Sequence, residues 1–502
     1  MKPIMNIKKI YHLICLTLFA VGAANAQVCQ PHSLYFMQTI PQISQMNPAF
    51  QPRANGYVAL PLNLNVDIRS DLAMKDIFQK HGNKWHTFYE KPYDYERLWQ
   101  SIGENSAMIN SGVDIDIFGF GFRAGKSYLS FGWSEHVSTN NGIPSDIFKM
   151  TETGFPPEET LFDLSYLNSQ TIVYQQLRIG VSTKIGNRLT VGVNVKPLSG
   201  QMAAVPKIKK MELRTSQQQW SFDVKGDVYS SAPIDLKLNE EGKISDVEEK
   251  YSDYSGNDFL QDYVFNFINP GIAFDFGASF QISERFIVSA ALNNLGFISW
   301  TKDLSGISAH GNYTFNGIEY DIVEDEGKDM WKTLKDTLKN VVDYNVQHDR
   351  FKTALTPVLH LGAQYNLSKA VSLGLLSRSA FWQNNVRQSF NASICLQPYS
   401  FVAFNMGATW QVKSSVYLGG GLTFFIGPLQ LYILADYVPV YYSMYTIEKN
   451  NEEKENGREQ IIKFPFPERQ KSITGRAGLN LVFGKHGYVN KPMLDKGTSS
   501  WN

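Results

Sequence analysis

The 502-residue chain has little charge, few cysteines and only one long apolar run. Charged residues make up 19% of it, below the roughly one quarter usual in soluble domains. Lysine plus arginine and aspartate plus glutamate each number 47, so the formal net charge is zero. Such a chain exerts no global pull on nucleic acid or on an anionic surface. Beyond the N-terminus no apolar stretch is long enough for a spanning helix, which excludes a polytopic helical membrane protein. Three cysteines are too few for a disulfide framework and too scattered for a zinc centre. What is plentiful is apolar (43%), aromatic (13%) and glycine content, which argues against disorder and for a large β structure.

The single apolar run lies at the start. Lys2, Lys8 and Lys9 precede a short apolar core from Ile10 to Val21, and Ala24-Asn25-Ala26 has the small-x-small form of a cleavage site. Residues 1–26 therefore read as a cleaved signal peptide, with Gln27 the first mature residue. The run is too short for a spanning anchor, and Val28 before Cys29 lacks the small residue of a lipoprotein signal. Cys15 leaves with the signal. Whether Cys29 and Cys395 pair is not readable from spacing.

The mature chain alternates with period two over stretches of about ten residues, the length of a tilted strand crossing a bilayer. In Val402 to Val412, the apolar set Val402, Phe404, Met406, Ala408, Trp410 and Val412 alternates with Ala403, Asn405, Gly407, Thr409 and Gln411. In Ile272 to Ile282, phenylalanines and isoleucines alternate with Ala273, Asp275, Gly277, Ser279 and Gln281. Val191, Val193 and Val195 oppose Gly192, Asn194 and Lys196, and Leu359, Leu361 and Ala363 oppose His360 and Gly362. From Ile473 to Phe483 the polar set contains Thr474, Arg476 and Asn480. A soluble sandwich also alternates, but its strands average about five or six residues. These lengths, the Gly, Asn, Gln and Thr-rich polar set, and tyrosines at strand ends (Tyr437, Tyr441, Tyr442, Tyr445) predict apolar residues outward and a wet interior.

Connections sort the same way. Tight joins at Gly125-Lys126, Gly186-Asn187, Ser283-Glu284, Ser368-Lys369, Gln397 to Tyr399 and Gly427-Pro428 alternate with long polar segments at 67–110, 138–170, 232–269, 298–353 and 439–471. Strand starts near 57, 113, 127, 171, 188, 208, 220, 271, 285, 354, 370, 386, 400, 415, 429 and 473 put every long segment on one side. The fold class is therefore all-β: a closed antiparallel transmembrane β-barrel of about 14–16 strands, with short periplasmic turns and long extracellular loops. The starts near 57, 208 and 220 are the weakest. Residues 27–56 form an N-terminal periplasmic or plug segment, 57–483 the barrel and 484–502 a periplasmic tail. Asp329 to Val342 has the pattern of an amphipathic loop helix, and 447–459 is a charged, solvated run.

Enzymatic chemistry finds little footing. The nine histidines are scattered, and His81 and His86 lack metalloprotease spacing. Gly119, Gly121 and Gly125 open no helix, so they make no phosphate-binding turn. Asp114 and Asp116 project together from one strand; lumen lining is the simpler reading than acid–base work. His136 with Ser134 or Ser138 is the one combination that could make a Ser–His pair at the membrane face. The expectation is no catalytic residue, no cofactor and no metal. The lumen-lining set is Asp114, Asp116, Asn194, Lys196, Asp275, Gln281, His360, Asn405, Gln411 and Arg476.

Several segments together resemble a known family: Ser33-Leu34-Tyr35-Phe36-Met37, Asn47-Pro48-Ala49-Phe50, Gly271 to Ala278, Asn294 to Trp300, and Gly427 to Tyr432 with Asp436-Tyr437-Val438. They resemble Bacteroidota-type outer-membrane barrels of unknown function, similar in turn to the PorV and FadL (fatty-acid transporter) barrels. The resemblance implies an N-terminal segment tucked into or under the barrel, with the Asn47-Pro48 turn as part of a plug at the periplasmic mouth; it supplies no catalytic residues. Asn-Pro by itself favours turn initiation. Two function classes follow. One is passage of a small solute, apolar if the likeness to the fatty-acid transporter carries over. The other is a non-transporting barrel that anchors or shuttles envelope or secreted proteins through its loops or tail. Outer-membrane lipid is the expected surrounding; oligomeric state is not readable.

Overall fold

The computed structural model describes residues 30–81, 84–88, 92–103, 105–217, 219–240, 244–249, 269–315, 342–382, 385–412, 416–438, 442–449 and 460–484. The signal peptide, Cys29, most of the loop-helix segment, residues 450–459 and the tail beyond Gly484 lie outside these.

Fourteen antiparallel strands close into one ring. They are β1 (Gly56–Ala59 continuing as Asn63–Ser70), β2 (Ser106–Ala124), β3 (Ser127–Pro144), β4 (Asn168–Ile185), β5 (Leu189–Thr215), β6 (Asn269–Gln281) and β7 (Phe286–Trp300). The ring continues with β8 (Phe351–Ala354 and Val358–Asn366), β9 (Val371–Trp382), β10 (Asn385–Tyr399), β11 (Val402–Gln411), β12 (Val416–Ile426), β13 (Leu429–Val438) and β14 (Ser472–Phe483). Closure is explicit. β14 pairs with β13 (Leu431↔Leu479) on one side and with β1 (Asn65↔Arg476) on the other, so no edge is left unpaired. Pro61 and Pro357 lie in the gaps of β1 and β8, where a residue without an N–H cannot donate to the ladder. Among the described residues no helix is long and apolar enough to cross a membrane.

Two of the sixteen expected starts do not become barrel strands. The starts near 188 and 208 are one 27-residue strand, β5. Its first half pairs with β6 (Asn194↔Asp275). Its second half pairs with Trp220–Ser231, which in turn pairs with Gly306–Phe315. The strand near 220 thus belongs to a sheet that extends the wall past the ring at the long-loop end.

The usual burial rule is inverted along the ring. In β14, Thr474, Arg476 and Asn480 are at most 3% exposed, whereas Ile473 and Phe483 are 46% and 50% exposed. Outward apolar residues recur all round, among them Ile179, Phe276, Leu361, Leu375, Met406 and Leu431. Such a belt far exceeds what a monomer tolerates in water. A bulge between Asp116 and Phe118 in β2 flips the parity of that strand. Before it even-numbered Asp114 and Asp116 point inward; after it even-numbered Phe118, Phe120 and Phe122 are exposed on the outer wall. The tight joins all fall at one end of the ring, and Gly125 takes the positive φ (61°) that its turn requires. The long connections fall at the other end.

Candidate lumenal site

The ring is not empty. Residues 30–55 run through it with two short 3-10 turns, His32–Leu34 and Pro41–Gln45. Leu34, Tyr35, Phe36, Met37, Ile40, Ile43 and Met46 form an apolar cluster with Leu376, Ala403, Tyr432 and Leu434 of the inner wall. Among the described residues no strand pairs along the segment, so beyond the backbone bonds of Asn55 to Phe483 and Arg123 side chains tie it in. Gln42 and Asn480 exchange amide hydrogen bonds at 2.8 and 3.1 Å, the Gln430 amide donates to Thr39 O at 2.7 Å, and the Gln51 amide donates to Lys126 O at 3.0 Å.

Asn47 and Pro48 lie inside the barrel against β5, β6 and β7. Asn47 Oδ1 accepts from Ala49 N at 2.9 Å, closing the local turn, while its Nδ2 donates to Ala290 O at 3.3 Å. Room for this turn comes from two inward glycines. A Cβ on Gly192 would sit 2.1 Å from Pro48 O, and one on Gly277 would sit 2.1 Å from Asn47 Oδ1.

On its long-loop side the plug leaves a polar chamber of about 70 Å³. Its walls include Gln30, Gln45 and Met46 of the plug, Asp114 and Asp116 of β2, Ser134 and His136 of β3, and Arg178 and Lys196 of β4 and β5. Gln176 of β4 and Asn293, Asn294, Val358, His360 and Arg378 of β7 to β9 complete it. The charges are mostly paired, as burial demands. Lys196 Nζ lies 2.7 Å from Asp275 Oδ1 and donates to Asn294 Oδ1 at 2.7 Å; Asn194 Nδ2 donates to Asp275 Oδ2 at 2.9 Å. Arg476 Nη2 meets Asp116 Oδ2 at 2.9 Å, and Arg476 Nη1 donates to Gln45 Oε1 at 2.9 Å and also to Gln30 Oε1. Asp114 takes His136 Nδ1 at 2.6 Å, Gln30 Nε2 at 2.9 Å and Asn65 Nδ2 at 3.2 Å. Arg378 faces the chamber at 6% exposure with no ion pair among the described residues. His360 stacks on Tyr35 at 5.6 Å, and among the described residues neither ring nitrogen has a hydrogen-bond partner.

Of the ten residues expected from alternation, Asp114, Asp116, Lys196 and His360 line the chamber, while Asn194, Asp275 and Arg476 hold its walls through the bonds just given. The other three are elsewhere. Gln281 ends β6 beside the tight turns, Gln411 ends β11 at the long-loop end, and Asn405 is buried against Cys395 Sγ. Gln176, Arg178 and Arg378 escaped the sequence reading, although they alternate with Leu177, Ile179 and Phe381 by the same rule. Gln30 and Gln45 carry no periodic signal at all.

Residues 48–436 match the model of a family of unknown function, DUF5723. The chain belongs to that family. No curated protein matches the sequence. Among solved structures the chain is similar to the toluene transporter TbuX of Ralstonia pickettii, with 9% identity, 92% of this chain and 96% of that chain covered, and a TM-score of 0.40. It is also similar to the toluene transporter TodX of P. putida (8%, 92% and 96%, TM-score 0.39) and to a Pseudomonas aeruginosa FadL homologue (10%, 92% and 99%, TM-score 0.39). These likenesses are distant, and the DUF5723 barrel stands on its own strand pairing.

Proposed function

We propose that this DUF5723 chain is an outer-membrane barrel of the transporter-like kind, which admits a small solute from the long-loop side and passes it only when the plug rearranges. The observation that carries this is the inverted burial: apolar side chains face outward around a closed ring, and polar ones enclose the interior. In this reading the tight turns are periplasmic, the long loops extracellular, residues 1–26 are removed on export, and 484–502 stay in the periplasm. The likeness to Bacteroidota-type, PorV and FadL barrels belongs to the same reading. The polar lining of the chamber favours a solute that can hydrogen-bond.

A staple tests it. A Cβ on Gly421 would lie 2.3 Å from Leu434 Cδ2 and 2.9 Å from Met37 Sδ, so Met37→Cys with Gly421→Cys is built together with Leu434→Ala, which clears the wall side of the bridge. In a background lacking Cys29 and Cys395, the reduced protein should swell liposomes with small solutes, and a short thiol crosslinker should stop it. Flux that ignores the crosslink excludes passage past this plug.

The packing of the plug also favours a second reading, a non-conducting barrel that anchors or shuttles envelope or secreted proteins. Absence of flux in the reduced state, together with a stably co-purifying envelope protein, selects that reading.

A further inference from the structure

One cluster in the chamber carries more than a tie to the plug and a charge pair. Ser134 and His136 stand two apart on β3, so both point inward. Asp114 of β2 is the direct cross-strand partner of His136. Ser134 Oγ lies 3.0 Å from His136 Nε2, and His136 Nδ1 lies 2.6 Å from Asp114 Oδ1. The imidazole is stacked on Tyr174, its partner on β4, with ring centroids 4.8 Å apart and planes at 15°. The second carboxylate oxygen is occupied by the Gln30 and Asn65 amides, which fixes the aspartate. With Nδ1 protonated toward Asp114, Nε2 is the acceptor that faces the Ser134 hydroxyl. This is the order of contacts in a serine–histidine–aspartate relay, recognised by geometry and not by sequence order.

We propose that Ser134, His136 and Asp114 form an esterase site in the barrel lumen, acting on short-chain carboxylic esters. Ser134 Oγ attacks the ester carbonyl carbon while His136 Nε2 takes the hydroxyl proton. The oxyanion develops in a chamber lined by Gln176, which is paired with Ser134 across the ladder, and by Arg178 and Arg378. Collapse breaks the acyl–oxygen bond, and the departing alcohol takes the proton from His136 Nε2. Water then attacks the acyl-Ser134 carbonyl, giving its proton to His136, which returns it to Ser134 Oγ as the carboxylic acid leaves. Asp114 is a positioning residue: it holds the imidazole tautomer and orientation. The chamber volume of about 70 Å³ sets the acyl size. It is about half that of an engineered cavity of roughly 150 Å³ that holds benzene, so an acetyl group fits and a long acyl chain does not.

The test uses the full mature chain, folded in detergent and judged by heat-modifiable migration. Methanesulfonyl fluoride should label one serine, identified as Ser134 by peptide mass spectrometry. Hydrolysis of methyl acetate, followed by proton release, should fall about 100-fold or more in Ser134→Ala and His136→Gln, and stay unchanged in Ser138→Ala, whose hydroxyl is bonded to Ile172 O instead. Asp114→Asn should lower kcat and leave KM in place. Acetate esters should outpace octanoate esters at least tenfold. An unlabelled Ser134 in a folded barrel, or a labelling rate indifferent to His136→Gln, overturns the site. Equal rates for acetate and octanoate overturn the substrate class.

Discussion

Arg476 on the last strand of the ring reaches across β1 to Asp116 on the second, Nη2 to Oδ2 at 2.9 Å, with the arginine side chain 3% exposed. β1 is therefore bridged on the inside by the two strands it pairs with. Removing one partner leaves a buried charge uncompensated, at a cost of about 3–5 kcal/mol. Asp116→Asn should lower the temperature at which the barrel loses its heat-modifiable migration, and Asp116→Asn with Arg476→Gln should recover part of the loss. A double variant whose loss equals the sum of the losses in Asp116→Asn and Arg476→Gln alone would show that the pairing itself contributes nothing.

Gly277 faces the plug rather than a turn. Gly277→Ala drives a methyl into Asn47, with overpacking of about 1–3 kcal/mol. The ring has no need of that space, so the expected result is a folded barrel whose residues 30–55 become open to limited proteolysis. Protection equal to wild type would mean that the plug has another way to sit.

Leu375 is 62% exposed on the outer wall. Arginine there should cost about 2–4 kcal/mol if it meets lipid near the bilayer midplane. Denaturant titration of protein folded into vesicles measures it. Lys209→Arg, at an exposed position on the extension beyond the ring, should cost almost nothing in the same assay. Similar costs at both positions would contradict a lipid belt confined to the ring.

Residues 301–350 include Gly306–Phe315, which among the described residues pairs only with the extension sheet and with Asn345–Gln347. The ring is closed without them, since β7 pairs directly with β8. Trimming this segment should leave a heat-modifiable barrel and change solute passage or partner binding. Loss of the barrel on trimming would show that the extension is required for folding.

Much of the wall was legible residue by residue. Outward Phe404, Met406 and Trp410 against inward Asn405 and Thr409 follow from a period that any strand imposes on its own side chains. The tight joins follow from turn chemistry as local as Gly125. Local pattern divides the 27-residue β5 in two, because nothing local says that a strand continues past the ring; its upper half exists by pairing with Trp220–Ser231. In β2 alternation places the aspartates inward, but the parity flip beyond them needs the bulge opposite β3.

By itself the sequence determined which side chains face out and which face in, because alternation is a property of one strand. Only the tertiary structure decided which inward groups meet. Asp114 finds His136, Arg476 finds Asp116, and the plug finds Gly192 and Gly277 through inter-strand register and a chain threaded back through the ring. Those contacts span up to several hundred residues of sequence, and no local periodicity encodes such a distance.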